Sequence, residues 1–419
     1  MLRENLFILK EKISGNKILK NIKELESGSK KSQVSKFNEL LSHAKNTTKH
    51  YENYSLNQSL NEYPIISKNV IKENYNDFLS NSYKIEQLYK MTTSGSYGTP
   101  FTFYLTSEKK DKQRAEILYY GEWANYKVGK KHAYLMTKSK SKLKLFLQNE
   151  IIMAPFTLDI KWLNTQKRVL DEEKPLVLIG YTSAIATLAK YVISEGKQYN
   201  LDGVICVSEV LTESYRKTIR KAFKVNALSR YSTQEFGVLA NECPEKLKHH
   251  LNDVNYIIEV LNINNDSPAL PGELGRIVVT DLFSHAMPLI RYDTGDLGIM
   301  SEKQCECGRT SPVLDKIEGR LIEEIFNTDG DVVSGFAING AMQDIENILQ
   351  YQFSQESEKE YTVRIIKLKG YKEEKLIEDR FKKFLGRDAL ITFHYVQEIP
   401  PKKSGKRPYV IQNYKRELT

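Results

Sequence analysis

Three separated segments of the chain contain residue types that could bind and activate a nucleotide. Residues 93–100 (Thr-Ser-Gly-Ser-Tyr-Gly-Thr-Pro) form a segment of small and hydroxyl-bearing residues. Residues 291–296 (Arg-Tyr-Asp-Thr-Gly-Asp) combine carboxylates with a glycine, and Lys406 lies in a Lys/Ser/Gly-rich segment near the C-terminus. Together, the three segments could bind phosphates and a ribose and neutralise charge on a phosphoryl or carboxylate oxygen.

The segment at 93–100 could bind phosphate. Small side chains let backbone N–H groups approach phosphate oxygens closely, and the hydroxyl groups add hydrogen-bond donors. The segment differs from the P-loop of nucleotide triphosphatases because no Gly-Lys-Ser/Thr follows it. Alone it would be interpreted as a Gly/Ser turn between strands, and it is the other two segments that favour a phosphate site.

The acidic turn and the late lysine supply complementary chemistry. A carboxylate beside a glycine turn can accept two hydrogen bonds from the hydroxyl groups of a ribose. The same Asp-Thr-Gly-Asp sequence also fits an Asx turn at the end of a strand. A mobile ammonium such as that of Lys406 can neutralise charge that develops on a phosphoryl or carboxylate oxygen in a transition state. The alternative for Lys406 is an exposed basic loop.

The cysteines indicate a metal site. Cys305 and Cys307 are one residue apart, and Cys243 lies shortly before the adjacent histidines His249 and His250. Three thiolates and one imidazole would close the tetrahedral shell of a Zn²⁺ ion and leave no open position, so such a site is structural rather than catalytic. Spacing alone does not choose between the two histidines. The alternative is a set of buried free cysteines beside a surface histidine pair.

The elements that must position these residues are predicted to form an α/β fold. Apolar runs at 175–180 and 203–207 are typical of buried strands, and each precedes a helical pattern, at 183–196 and 212–223. This alternation indicates a sheet covered by helices. Ligands of such sheets bind beyond the carboxyl ends of the strands, where residues 231–235 are expected.

The chain is predicted to contain two domains. Residues 1–90 have helical periodicity, and residues 254–300 are rich in strand and turn signals, so the domain at 1–320 combines α/β sheets with a β-rich subdomain. After Arg320 the composition changes, and we predict a small α/β domain at 321–419.

Length and charge narrow the class of protein. The 419 residues carry a net charge of +9, from 62 basic and 53 acidic side chains. No stretch approaches the run of about 20 apolar residues that spans a bilayer, and the N-terminus lacks the apolar block of a signal peptide. We therefore expect a cytoplasmic protein without a membrane span. The densest basic run, 138–144, is not accompanied by a helix-turn-helix or aromatic platform, so nucleic acid is not an expected partner.

The combination of motifs resembles the superfamily of adenylate-forming enzymes, which includes acyl-CoA synthetases, peptide-synthetase adenylation domains and luciferases. It is most similar to the phenylacetate–CoA ligase family and, within it, to the branch found in capsule polysaccharide biosynthesis. The resemblance extends over nearly the whole chain and is carried by five segments: 180–183, 207–212, 230–237, 287–296 and 305–309.

The resemblance implies a large N-terminal adenylation domain, a small mobile C-terminal domain, and specific roles for single residues. The phosphates of ATP would be held by the small residues of the first segment: Thr93, Ser94, Gly95, Ser96, Gly98 and Thr99. Tyr231 and Arg320 would contact the nucleotide, Asp296 would bind the ribose hydroxyls, and Glu235 would bind Mg²⁺. Lys406 would serve the adenylation step after rotation of the C-terminal domain.

The family pattern also bears on the metal ligands and on the activity. It favours His250 over His249 as the partner of Cys243, Cys305 and Cys307 in a structural zinc site. The implied reaction is attack of a carboxylate on the α-phosphorus of ATP, release of pyrophosphate, and transfer of the acyl group to a thiol, amine or sugar hydroxyl. CoA is one candidate thiol. The implied role is in cell-surface polysaccharide biosynthesis.

The sequence departs from the family pattern at three places. Tyr97 replaces a threonine of the phosphate segment, and residues 231–235 read Tyr-Ser-Thr-Gln-Glu where the family has Tyr-Gly-x-Thr-Glu. The acidic hinge residues expected after Gly-Arg are displaced to Glu323 and Glu324. Two alternative functions therefore remain open: an aryl-acid CoA ligase, and a catalytically weakened protein that binds adenylate or RNA.

Overall fold

The structure, a computed structural model, describes most of the chain: residues 2–28, 31–56, 58–93, 101–136, 140–153, 158, 160–320, 325–330, 332–333, 337–338, 341–342, 345–400 and 408–414. Several predicted site residues lie outside these ranges: Ser94, Gly95, Ser96, Gly98, Thr99 and Lys406. The substituted Tyr97 and the displaced hinge residues lie outside them as well.

The described helices are α1 (Leu2–Ile13), α2 (Lys17–Ser27), α3 (Lys31–Thr47), α4 (Lys68–Glu73), α5 (Ser107–Glu122), α6 (Lys142–Gln148), α7 (Ile160–Glu173), α8 (Thr182–Ser194), α9 (Glu213–Phe223) and α10 (Glu374–Leu385). Three of them begin at a hydroxyl residue that accepts a backbone N–H of the first turn, as an N-cap does: Ser67 before α4, Thr106 before α5 and Thr212 before α9.

The described strands are β1 (Tyr89–Thr93), β2 (Phe101–Leu105), β3 (His132–Leu135), β4 (Glu150–Ile152), β5 (Val177–Tyr181), β6 (Gly203–Val207), β7 (Ala227–Thr233), β8 (Gly237–Glu242), β9 (His249–Leu251), β10 (Tyr256–Asn262), β11 (Leu274–Asp281), β12 (Tyr292–Met300), β13 (Val313–Arg320), β14 (Ile325–Phe326), β15 (Val332–Val333), β16 (Ile348–Gln355), β17 (Glu360–Lys367), β18 (Leu390–Tyr395) and β19 (Val410–Gln412).

The chain forms two compact units, and the first comprises residues 1–130, 146–149 and 228–319. Its strands follow the order β10-β11-β12-β13-β9-β8-β7, and β1 pairs with β2 as a separate antiparallel hairpin. The core of this unit joins α3 to the inner face of the strands, with Leu40, Phe103, Phe236 and Tyr256 all fully buried. This packing fixes the strands that carry the acidic turn and the motif at 231–235.

The second unit comprises residues 131–145, 150–227 and 320–419. Its strands β6, β5, β3 and β4 are parallel neighbours in that order. Every residue of β5 and β6 is buried, which accounts for the continuous apolar runs that predicted them. Gly180 lies so close to β3 that an added Cβ would be 2.6 Å from the Leu135 backbone oxygen, so this position requires glycine.

The C-terminal part of the second unit has a sheet of its own. Its strand order is β18-β17-β16-β19, and α10 covers it through Phe381, which packs against Phe353. Within the same unit, Leu349, Ile366 and Ile399 belong to the core cluster of the parallel strands.

The mixed α/β architecture confirms the predicted fold class. The chain passes from the first unit to the second at Arg320, which is where the sequence places a domain boundary. The residues beyond that point nevertheless cluster with 131–227 rather than standing apart, so the division into domains at 1–320 and 321–419 stays a prediction. Within the described ranges, no helix is long and apolar enough to cross a membrane.

Candidate functional site

The acidic turn lies at a bulge in β12. The pairing register of β11 with β12 shifts there, so residues 294–296 lie opposite the single residue Ile277. Gly295 has φ of +71°, a left-handed conformation that glycine adopts without strain. A bulge of this kind bends the strand locally and redirects its side chains.

The two aspartates of the turn have different partners. Asp293 makes the Asx turn, because its Oδ1 accepts the Gly295 N–H at 2.8 Å, and its Oδ2 accepts Nη1–H of Arg276 at 2.8 Å. Asp296 is not part of this turn contact, and its Oδ2 instead accepts the Tyr231 hydroxyl at 2.7 Å. The Asx-turn alternative therefore describes Asp293 and leaves Asp296 as the candidate for ribose binding.

The contact between Tyr231 and Asp296 brings together two of the predicted motifs. These residues are 65 positions apart in sequence, on β7 and β12, and both belong to the first compact unit. The sequence assigned both residues to the nucleotide from the family resemblance, but gave no reason for a direct contact. The hydrogen bond holds the carboxylate in one orientation.

Glu235 lies in the turn between β7 and β8, two residues after the end of β7, and its side chain is buried. The turn is closed by the Phe236 N–H, which donates to the Thr233 hydroxyl at 3.2 Å. Gly237 then has φ of +124°, and an added Cβ would lie 2.2 Å from a carboxylate oxygen of Glu116. The backbone after Glu235 is thus confined by its neighbours.

Three side chains from other elements hold this turn. Gln113 donates its amide to the Phe236 carbonyl at 3.0 Å, and the Tyr256 hydroxyl donates to the same carbonyl at 2.6 Å. The Glu116 carboxylate accepts the Val238 N–H at 2.9 Å. Buried backbone groups need such partners, and here the partners come from α5 and β10.

The same network continues to a buried ion pair. Lys109 Nζ lies 2.7 Å from Asp281 Oδ2 and 3.0 Å from the Tyr256 hydroxyl, and both members of the ion pair are almost inaccessible to solvent. Burial raises the pKa of Asp281 and of Glu116, although the nearby Lys109 ammonium opposes this shift in both. The network therefore keeps one cation beside two buried carboxyl groups.

Sequence reasoning missed the supporting residues Lys109, Gln113 and Glu116. The sequence at 108–127 is typical of a helix, and α5 covers most of it, but its charged residues give no reason to expect burial. One signal was available: positions 109, 112, 113 and 116 share one helical face and are all polar. The buried polar groups on the inward face of a helix need hydrogen-bond partners. Here those partners lie in the turn that holds Glu235.

The remaining predicted nucleotide residues are only partly described. Thr93 is the last residue of β1, and Arg320 is the last residue of β13. The phosphate segment from Ser94 to Thr99 and the late lysine Lys406 lie outside the described residues. The structure thus brings together Tyr231 and Asp296, places Glu235 in a fixed turn, and leaves the other assignments as predictions.

The four predicted metal ligands come together in the first unit. One ligand atom from each of Cys243, His250, Cys305 and Cys307 lies within 4.8 Å of the others. The sulfur atoms of Cys243 and Cys305 are 3.8 Å apart, and Cys307 Sγ is 3.2 Å from His250 Nε2. Ligand bonds of about 2.3 Å to sulfur in a tetrahedron require sulfur atoms about 3.8 Å apart, so the separation fits zinc.

The imidazole of His250 is prepared to act as a ligand. Burial, together with the charge of Arg309, lowers the pKa of His250 to about 4, so the ring is neutral at neutral pH. Its Nδ1 is 3.0 Å from the Ser311 hydroxyl, and Nε2 faces the sulfur atoms. A second hydrogen bond of this kind fixes ring orientation in metal sites. His249 lies instead near Glu242, at 4.0 Å, which supports the choice of His250.

Aromatic and charged groups shield this cluster. The Trp123 ring meets the His250 ring edge-on, with centroids 5.7 Å apart, and the Arg309 guanidinium lies 4.3 Å from the Trp123 ring. Arg309 also pairs with Glu245 at 2.7 Å. The cluster of Cys243, His250, Cys305 and Cys307 joins the ends of β8 and β9 to the segment that precedes β13.

The second unit contains a cleft at the start of α8. The Glu209 carboxylate accepts the Ser183 N–H at 2.7 Å and the Ser183 hydroxyl at 3.1 Å, and Ser208 has φ of +67°, a strained value for serine. Tyr215, Tyr351 and other residues line the cleft. The cleft lies at the carboxyl end of β6, the kind of position at which ligands of α/β sheets bind.

Sequence comparisons find a matching family model and related proteins. The family described as the CapK C-terminal domain matches residues 325–413. Protein CapK of Staphylococcus aureus is 23% identical over 373 residues, which cover 85% of this chain and 81% of CapK. The phenylacetate-coenzyme A ligase of Thermus thermophilus is 30% identical over 168 residues, 38% of each chain.

Solved structures share the fold. A 2-hydroxyisobutyryl-CoA ligase in the postadenylation state, in complex with R3-HIB-AMP, aligns with a TM-score of 0.73 at 15% identity and covers 92% of this chain and 90% of its own. The anthranilate CoA ligase AuaEII in complex with anthranoyl-AMP aligns with a TM-score of 0.55 at 13% identity, covering 78% and 67%.

These comparisons define the class first. The chain has the fold of these CoA ligases, whose structures were solved with acyl-AMP compounds. More particularly, it is homologous to Protein CapK and to the phenylacetate-coenzyme A ligases, which confirms the resemblance stated from the motifs.

Proposed function

We propose that the chain is an ATP-dependent, AMP-forming ligase that activates a carboxylic acid as an acyl-adenylate and transfers the acyl group to an acceptor. The observation that carries this proposal is the hydrogen bond between Tyr231 and Asp296. It assembles two motifs from distant parts of the chain at a strand bulge, in the fold of the adenylate-forming ligases.

In the first step of the proposed reaction, the acid is activated by ATP, and each candidate residue has a role in this step. A carboxylate oxygen of the acid attacks the α-phosphorus of ATP, the bond to the bridging oxygen breaks, and pyrophosphate leaves. Asp296 accepts hydrogen bonds from the ribose hydroxyls, and the ammonium of Lys406 neutralises charge on the reacting oxygens. Residues 93–99 would hold the phosphates. Glu235 would hold Mg²⁺, which when bound offsets the charge of the leaving pyrophosphate.

A nucleophile completes the proposed reaction. A thiol, amine or sugar hydroxyl attacks the acyl carbon, and AMP leaves with the oxygen that came from the acid. Homology to CapK favours a role in capsular or other cell-surface polysaccharide biosynthesis. Similarity to phenylacetate-coenzyme A ligases over 168 residues favours the alternative that CoA is the acceptor and an aryl acid the substrate.

We also propose that Cys243, His250, Cys305 and Cys307 hold a structural Zn²⁺ ion. Support comes from the sulfur separation of 3.8 Å and from the neutral imidazole. Four protein ligands leave no position for water or substrate, so the ion would stabilise the fold and take no part in the reaction.

The test is carboxylate-dependent exchange of pyrophosphate into ATP, measured over a panel of aryl, fatty and amino acids. We expect exchange with one class of acid. Lys406→Ala should lower the exchange rate by about 100-fold or more, since losing one group that stabilises transition-state charge costs about that factor. Lys403→Ala, three residues earlier in the same basic segment, is the matched control and should keep the parent rate.

Two results would contradict the proposal. Equal rates in the Lys406 and Lys403 variants would remove the late lysine from the reaction. Absence of ATP binding to the purified chain would exclude a ligase of this type. The chain would then share the fold of the ligases but not their activity.

A further inference from the structure

Helix α1 exposes a narrow apolar stripe. With about 100° of rotation per residue, four apolar side chains of the helix fall within about 60° of one another. All four are exposed: Leu2 by 76%, Leu6 by 46%, Leu9 by 55% and Ile13 by 81%. These four residues are called the α1 stripe. Single exposed leucines are ordinary on protein surfaces, but four in one line are not.

Helix α1 is packed against the rest of the fold on the side opposite the α1 stripe. The opposite face of α1 is anchored, because Phe7 packs against the small core cluster of Ile18 and Val254. The buried carboxylate of Glu11 accepts the Ile18 N–H at 2.8 Å, which caps the start of α2. One face of α1 thus belongs to the fold, and the stripe faces solvent.

A second exposed apolar site adjoins the start of the stripe. Phe146 and Leu147, near the end of α6, are 67% and 48% exposed. Arg3 donates from Nε to the Phe146 carbonyl at 3.0 Å, and its guanidinium lies 5.0 Å from the Phe146 ring. These contacts place Phe146 beside Arg3, on the flank of the stripe near the start of α1.

The charges around the stripe are arranged by sign. On the helix, Lys10 and Lys12 lie about 80° to either side of the stripe, whereas Glu4 and Glu11 lie on the opposite side. The loop at 127–130 adds two lysines beside α1, since an added Cβ on Gly129 would lie 2.9 Å from Arg3 Cβ. The charged residues of α1 that flank the stripe, Arg3, Lys10 and Lys12, are thus all basic.

We propose that the α1 stripe, with Phe146 and Leu147, docks on the surface of an anionic lipid bilayer. Apolar residues would enter the boundary between headgroups and acyl chains, and the flanking lysines would extend to the phosphates. Charge decides between this occupant and a second copy of the chain. Two copies that paired through the stripe would bring together the flanking basic residues of both helices, Arg3, Lys10 and Lys12, a like-charge contact. The proposal does not depend on the ligase activity.

The test is flotation of the purified full-length chain with vesicles. Vesicles of phosphatidylcholine with about one third phosphatidylglycerol are compared with pure phosphatidylcholine, at low and high salt. We expect binding to the anionic vesicles that is at least tenfold stronger than to the neutral ones and that weakens as salt rises.

Two double variants test the apolar residues of the stripe and the lysines beside it separately. Leu6→Ser with Leu9→Ser should lower binding at least tenfold by removing apolar contacts, and Lys10→Glu with Lys12→Glu should lower it by reversing the border charge. Leu270→Ser and Leu390→Ser, which change leucines exposed by 66% and 61% elsewhere, are the matched control and should bind as the parent does. All positions are exposed, and a thermal melt verifies folding.

Three outcomes would overturn the inference. Equal binding to neutral and anionic vesicles would remove the charge argument. Unchanged binding of the stripe variants would place the contact elsewhere. Sedimentation showing a dimer that the stripe variants dissociate, without vesicle binding by the parent, would assign the stripe to a second copy.

Discussion

At the scale of single residues, the two aspartates of the acidic turn make different contacts, and the candidate site depends on this difference. Asp293 and Asp296 lie three positions apart in one turn, and the sequence could not separate an Asx turn from a ribose contact. The structure separates them by partners, since Asp293 bonds the Gly295 backbone and Asp296 bonds the Tyr231 hydroxyl. The bulge of β12 is the physical reason, because it turns successive side chains in different directions.

Tyr231→Phe should weaken ATP binding with little loss of fold. The change removes the hydroxyl that orients Asp296, and a hydrogen bond to a charged group contributes about 1.5–3 kcal/mol. We expect KM for ATP to rise about tenfold or more, while the maximal exchange rate changes much less. Steady-state pyrophosphate exchange at varied ATP measures this. An unchanged KM would separate Tyr231 from the nucleotide.

Metal content tests the cysteine cluster. Protein purified without a polyhistidine tag should contain about one zinc ion per chain, as one closed four-ligand site requires. Cys307→Ser should lose the metal and unfold at a lower temperature, because the cluster links β8 and β9 to a distant segment. Cys206→Ala, which changes a buried cysteine outside the cluster, should keep the zinc. Metal-free protein with unchanged stability would contradict the site.

At the scale of elements, helix α5 is the support of the Glu235 turn. Its buried face is polar, and it holds the turn through Gln113 and Glu116 rather than through apolar packing. Apolar spacing is the usual sequence signal for the inner face of a helix, and α5 lacks it, so the function of its polar inner face was missed. The strands β5 and β6 show the opposite case, since continuous apolar runs predicted them and full burial confirms them.

Glu116→Gln should destabilise the protein and disturb the turn. The glutamine amide would point an N–H group at donors, since the Glu116 carboxylate accepts the Val238 N–H and the Asn255 side-chain amide. We expect a loss of about 1–3 kcal/mol in the free energy of unfolding. We also expect a higher Mg²⁺ concentration at half-maximal exchange. Glu122→Gln, on the exposed end of the same helix, should change neither quantity.

Lys190 on α8 gives a pH test of the second unit. Its ammonium donates to the Ile348 carbonyl at 2.9 Å, and burial lowers its pKa to about 8. Between pH 8 and the ordinary pKa of 10.5, the unfolded chain binds more protons than the folded chain, so Lys190 contributes stability that increases with pH across this window.

The substitution Lys190→Met removes that contribution. The melting temperature of the variant relative to the parent should therefore fall as pH rises from 7.5 to 10, measured by calorimetry at several values of pH. Lys221→Met, on exposed α9 surface, serves as the control and should show no such trend. A parallel pH dependence in Lys190→Met and the parent would mean that Lys190 is solvated.

At the scale of the whole molecule, the relatives found by sequence and the fold shared with solved structures both agree with the family that the order of the three motifs resembles. The α/β class, the β-rich region and the convergence of Cys243, His250, Cys305 and Cys307 could be predicted because each depends on local patterns or on a specific resemblance. The grouping of residues 320–419 with 131–227 could not, because it depends on long-range packing by Leu349, Ile366 and Ile399. The sequence shows these three only as apolar residues of a separate segment.

The measurement that tests the central claim most directly is oxygen transfer from the acid to AMP. The substrate acid found by exchange, labelled with ¹⁸O in its carboxylate, is turned over with ATP, Mg²⁺ and hydroxylamine as the trapping nucleophile, and the nucleotide is analysed by mass spectrometry. An acyl-adenylate requires AMP that carries one ¹⁸O atom, because the acid oxygen that attacked the α-phosphorus leaves with AMP. Unlabelled AMP, or ADP as the product, would contradict the account.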